Sequence, residues 1–81
     1  MNKKQELSAM QGGADLMAIR MKSKLRTKAK EGRSGGLEAC HAEMVRRLLR
    51  EHVERLCNGE ARQAVDVCNL AMMLWVQAGS P

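Results

Sequence analysis

The sequence contains no phenylalanine, no tyrosine and a single tryptophan, Trp75, in 81 residues. Its apolar fraction of 44% therefore rests on Leu, Met, Val and Ala, which favour helices over strands, and an all-α fold is expected. Cys40, Cys57 and Cys68 form no C-x-x-C pair, so neither a disulfide framework nor a zinc knuckle is expected, and a reducing compartment follows. No apolar run is long enough to cross a bilayer. The stretch Ala64–Val76, polar only at Asp66 and Asn69, reaches about 20 Å against a hydrocarbon core of about 30 Å. The N-terminus, Met1 to Glu6, is polar and no apolar leader follows it, which predicts a cytoplasmic protein. An acidic excess is missing too: fourteen Lys and Arg against nine Asp and Glu give a net charge of +5, which excludes the acidic charge mimics.

What is present reads as one small domain, residues 1–81. A lone core of this size rarely supplies more than about 3–5 kcal/mol, so self-association or a partner is expected. Leu7, Met10, Ala14, Met17, Met21 and Leu25 recur at helical spacing and predict a first helix over Glu6–Lys30. Gly12 and Gly13 each cost a helix about 1 kcal/mol relative to Ala, so fraying is expected over 1–13. The glycines of Gly32-Arg33-Ser34-Gly35-Gly36 mark a loop at 31–36, short enough that the flanking helices should fold back on each other. A second helix is expected over Leu37–Cys57, stopped by a left-handed cap at Asn58-Gly59, and a third over Glu60–Ala78, ended by Gly79 and Pro81. The expected architecture is a three-helix antiparallel arrangement with a hairpin of the second and third helices. The third helix is apolar on both sides, more than two neighbours can cover. A homodimer is therefore expected, centred on Leu70, Met73, Leu74 and Trp75 and joined by Met17 and Met21.

Half of the basic residues, Arg20, Lys22, Lys24, Arg26, Lys28, Lys30 and Arg33, fall within fourteen positions at the end of the first helix. Arg20, Lys24, Arg26, Lys28 and Arg33 are the candidate contacts for an acidic protein or another anion; the plain alternative is a solvated face. Nucleic acid is not favoured. No aromatic residue interleaves the run to stack bases, and the would-be recognition helix of a helix-turn-helix is apolar. His41 beside Cys40, and His52, have no spacing that fixes a Cys–His geometry.

Glu51-x-x-Glu54 and Gln63-x-x-Asp66-x-x-Asn69 each share a helical face, and carboxylates on facing helices can hold Mg²⁺ with octahedral oxygen ligands. Surface ion pairs with Arg47, Arg50 and Arg55 account equally for the two glutamates, and Asp66 could be a solvated residue on a narrow polar face with Arg62, Asn69 and Gln77. The segment MVRRLLREHVERLCNGEARQAVDVCNLAMMLW, with the KLRTKAKEGRSGG before it, resembles short phage and prophage proteins related to the MazG-like, all-α nucleotide pyrophosphohydrolases, over about Lys22 to Trp75. The resemblance implies that Glu51, Glu54 and Asp66 bind Mg²⁺ in an enzyme releasing pyrophosphate from nucleoside triphosphates. Gln63 stands where the family has a third acid, and Gly36 where it has Trp. A neutral amide attracts the metal far less. The expected function is therefore that of a phage-type accessory protein in the bacterial cytoplasm. It would work by binding and inhibiting a host protein or a defence complex of the CRISPR type, with no cofactor. The alternative is the Mg²⁺-dependent hydrolase.

Overall fold

The computed structural model describes residues 1–80 and is all-helical, 78% in helix, with no strand among the described residues. Three α-helices follow in order: α1 (Lys3–Lys30), α2 (Ala42–Cys57) and α3 (Gln63–Gln77), with a 3-10 turn at Ala39–His41 leading into α2.

α1 starts three residues earlier than expected, because Asn2 and Gln5 close a capping box. Gln5 N donates to Asn2 Oδ1 at 2.8 Å and Asn2 N donates to Gln5 Oε1 at 3.0 Å, satisfying two otherwise orphaned donors. The helix then runs unbroken through Gly12 and Gly13, where fraying was expected. α1 and α2 stop in the same way. Gly32 at φ +83° and Gly59 at φ +101° take the left-handed conformation, and Arg33 N and Glu60 N reach back to the carbonyls of Lys28 and Arg55, each at 3.1 Å. α3 ends similarly at Gly79, while Pro81, read as its further stop, lies outside the described residues.

The two expected N-termini of α2 and α3 shift inward. Leu37 and Glu38 stay out of α2 because Glu38 is extended, at ψ 128°, and the His41 ring is engaged by the Gly35 carbonyl. Glu60–Arg62 form an irregular turn, so α3 begins at Gln63.

α2 and α3 form the expected hairpin and the most extensive helix contact. α1 packs on α3 with its C-terminal half: Lys24 meets Asp66 and Met21 meets Asn69, positions that step in opposite senses and make this pair antiparallel too. α3 is thus central, and α1 and α2 flank it rather than folding back on each other. Segment 31–41 crosses back between them, so Gly36 ends beside Met73 and its carbonyl accepts from Gln77 Nε2 at 2.7 Å. Residues 1–16 are exposed throughout, and α1 projects as an arm. The molecule measures 45 × 29 × 25 Å with a radius of gyration of 14.4 Å, against about 12 Å for a compact chain of this length. Among the described residues Val45, at 3% exposure, is the only buried apolar residue, and no side chain is wholly buried. No helix is long and apolar enough to cross a membrane.

Candidate functional site

α3 turns its polar residues inward. Gln63, Asp66 and Asn69, one helical turn apart, line a seam against α1 and α2, and Gln63 and Asn69 are buried to 8% and 5% exposure. From α1, Lys24 Nζ donates to Asp66 Oδ2 at 2.8 Å; from α2, His52 Nδ1 donates to Gln63 Oε1 and stands 3.8 Å from the same Asp66 oxygen. Asn69 Nδ2 donates to the Met21 carbonyl at 3.3 Å, while its buried Oδ1 has no partner. A buried acceptor left unmatched costs about 1–3 kcal/mol, which a bound donor would recover.

Above this seam lies an open cleft of about 760 Å³, walled by the end of α1, the glycine-rich crossing segment and the first half of α2. Its sides are mostly apolar, including Leu25, Leu48, Leu70 and Met73, and its floor carries His52, Asp66 and Asn69. The volume is that of ordinary small-molecule and side-chain pockets. Lys24, Lys28, Arg33 and Glu38 also line it. The crossing segment is anchored at both ends of its glycine run: His41 Nδ1 donates to the Gly35 carbonyl at 2.8 Å, and a side chain on Gly36 would meet Met73 Sδ.

The expected metal residues do not converge. Glu51 and Glu54 are exposed on α2, whereas Asp66 is half-buried and already holds an ammonium group at hydrogen-bond distance. The only three-residue grouping of metal-ligating side chains among the described residues is Glu38, Cys40 and His41, whose atoms lie within 4.8 Å of one another on the surface. There His41 Nδ1 carries the proton it gives to Gly35 O, so that nitrogen is not free to ligate. The residues present thus do not fit an Mg²⁺ held jointly by Glu51, Glu54 and Asp66. The view of Asp66 as a solvated residue is corrected as well, because Lys24 and His52 enclose it.

The basic candidates divide. Lys24, Lys28 and Arg33 line the cleft, while Arg20 and Arg26 are exposed elsewhere on α1. Lys28 and Arg33 both face Glu31, at 3.9 and 3.7 Å, spacings that leave the cations available to a closer anion. The expected interface set also divides. Leu70 and Met73 face the cleft, Met17, Met21 and Leu74 are half-buried, and only Trp75 stands out at 53% exposure. Spacing alone does not assign His52 and Gln63 their roles, although three polar residues sharing one face of an otherwise apolar helix signal an internal seam. Neither a known protein family, nor a curated protein, nor a solved structure matches the chain.

Proposed function

We propose that this chain acts by binding another protein, using the cleft and its basic rim. The carrying observation is surface. The chain exposes 6295 Å², whereas a compact protein of 9.0 kDa exposes about 4,900 Å², an excess of about 1,400 Å². A standard interface removes about 800 Å² from each partner, so covering by protein is the natural fate of such a surface. Charge complementarity selects the class: apolar walls under Lys28 and Arg33 suit a segment that alternates apolar and acidic side chains. The resemblance to short phage proteins makes a host protein, such as a subunit of a defence complex, the kind of target.

The test is capture of a stoichiometric partner from host lysate by the intact chain, repeated with Lys28→Glu and Arg33→Glu. The double variant is expected to fold and to lose the partner by at least about tenfold, since like charge then faces like charge. Undiminished capture would move the binding surface elsewhere. In parallel, the pure protein is incubated with each nucleoside triphosphate and Mg²⁺ and assayed for pyrophosphate. Background release is expected, because Lys24 occupies the Asp66 oxygen; turnover that vanishes in Glu51→Gln would replace this reading with the hydrolase.

A further inference from the structure

The floor of the cleft is short of donors, not of acceptors. Its donor groups are committed: Lys24 Nζ is turned onto Asp66 Oδ2 at 2.8 Å, and His52 Nδ1 onto Gln63 Oε1. Asn69 lies in the same floor at 5% exposure with its Nδ2 on the Met21 carbonyl, so the unmatched atom of its amide is Oδ1. The neutral His52 ring keeps Nε2 as a second acceptor. Buried acceptors are seldom left without a partner, and what this one lacks is a donor brought from outside the chain.

We infer that the cleft receives a tryptophan side chain of the partner protein, whose indole N–H donates to Asn69 Oδ1. This rests on the reading of the cleft as a protein-binding site and names the residue that anchors there. The donor has to be neutral: Lys24, Lys28 and Arg33 line the cleft, against Glu38 and an Asp66 already paired, so an incoming arginine or lysine would meet like charge. It also has to carry no acceptor of its own, which would face Asn69 Oδ1 and His52 Nε2. That sets aside carboxamides and hydroxyls, the phenol of tyrosine included, and leaves the indole N–H, a donor only. Size agrees. A cleft of about 760 Å³ walled by Leu25, Leu48, Leu70 and Met73 takes a flat bicyclic ring, and the unbranched side chains of Met72 and Met73 adjust around it. Acidic residues beside this tryptophan then reach Lys28 and Arg33, whose contacts with Glu31 at 3.9 and 3.7 Å are loose. A buried aromatic anchor inside a polar rim is where interfaces concentrate their binding energy.

The probe is a synthetic peptide, fluorescein-Gly-Asp-Leu-Trp-Asp-Glu-amide, titrated with the full chain and read by fluorescence anisotropy. Beside it run the same peptide with phenylalanine in place of tryptophan, and one whose indole nitrogen is methylated, which keeps the ring and loses the N–H. The tryptophan peptide should bind, and each of the other two should bind at least about tenfold more weakly, because Asn69 Oδ1 is then left unmatched. In Asn69→Ala, which removes the acceptor, the plain and methylated peptides should bind within about twofold of each other. Circular dichroism checks the folding of that variant, and the comparison on the unsubstituted chain stands without it. Plain and methylated peptides bound alike by the unsubstituted chain overturn the inference; release of both by Lys28→Glu with Arg33→Glu would in that case leave the cleft a protein-binding site with a different anchor. Free N-acetyltryptophanamide bound as tightly as the peptide makes the cleft a site for small indoles and overturns the assignment to a partner protein. No binding of the tryptophan peptide at about 1 mM overturns the inference as well, whatever lysate capture gives.

Discussion

The two halves of α1 are the same helix held in two different ways. From Met17 to Lys30 it is clamped to α3 through Lys24–Asp66 and the Asn69–Met21 bond. From Lys3 to Leu16 no residue is even half-buried, and Leu7, Met10 and Leu16 stand more than 50% exposed. The first half therefore rests on local terms alone, a capping box and its own backbone bonds, and isolated helices of this length are marginal in water. The contrast teaches that order in this chain does not require burial by the same chain. An arm of this kind opens at a lower free energy than the joint that carries it.

The comparison is broken most strongly at the joint. Asp66→Ala removes the only acidic partner of Lys24 across the α1/α3 contact and should cost about 2 kcal/mol, read as a lower urea midpoint with loss of amide protection over Met21–Lys28. Unchanged protection in that stretch would mean that apolar contact alone holds α1. Asn69→Ala should cost somewhat less, about 1–2 kcal/mol, because it deletes the bond to Met21 O and removes an unsatisfied acceptor at the same time. The arm responds in the other direction. A methyl group at Gly12 or Gly13 meets nothing within 4 Å, so Gly12→Ala and Gly13→Ala should each stabilise the arm by about 1 kcal/mol, seen as slower exchange over residues 6–16 and greater helicity. The smallest effect belongs to the cap: Asn2→Ala should weaken only the first turn, by about 0.5–1 kcal/mol, without moving the global transition. A shift of that transition would show the arm to be coupled to the rest.

Hydrophobic spacing and glycine punctuation made the number of helices, their order and the α2/α3 hairpin legible. Asn58-Gly59 was enough to place that reversal. The early start of α1 was written in Asn2-x-x-Gln5, a capping box made with Asn and Gln instead of the commoner Ser or Thr with Glu. What period alone does not state is which face of a helix turns inward. On α3 the apolar stripe and the polar trio compete, and the trio lies inside because His52, Lys24 and the Met21 carbonyl supply partners from other helices. Those partners are 11, 42 and 48 residues away in the chain, out of reach of any local pattern. The cleft was illegible for the same reason. It exists only because the 31–41 segment crosses over α3, and the crossing follows from the placement of α1.

In mechanical terms, α1 is a lever. Its free and clamped halves are each about 21 Å long, with the support near Met17 and Met21. A push on the tip at Leu7 is therefore taken up beyond the support by the Lys24–Asp66 contact, at the end of α1 that is one wall of the cleft. The rod is softest at Gly12-Gly13, between tip and support, so stiffening those two positions decides how much of a push at one end arrives at the other.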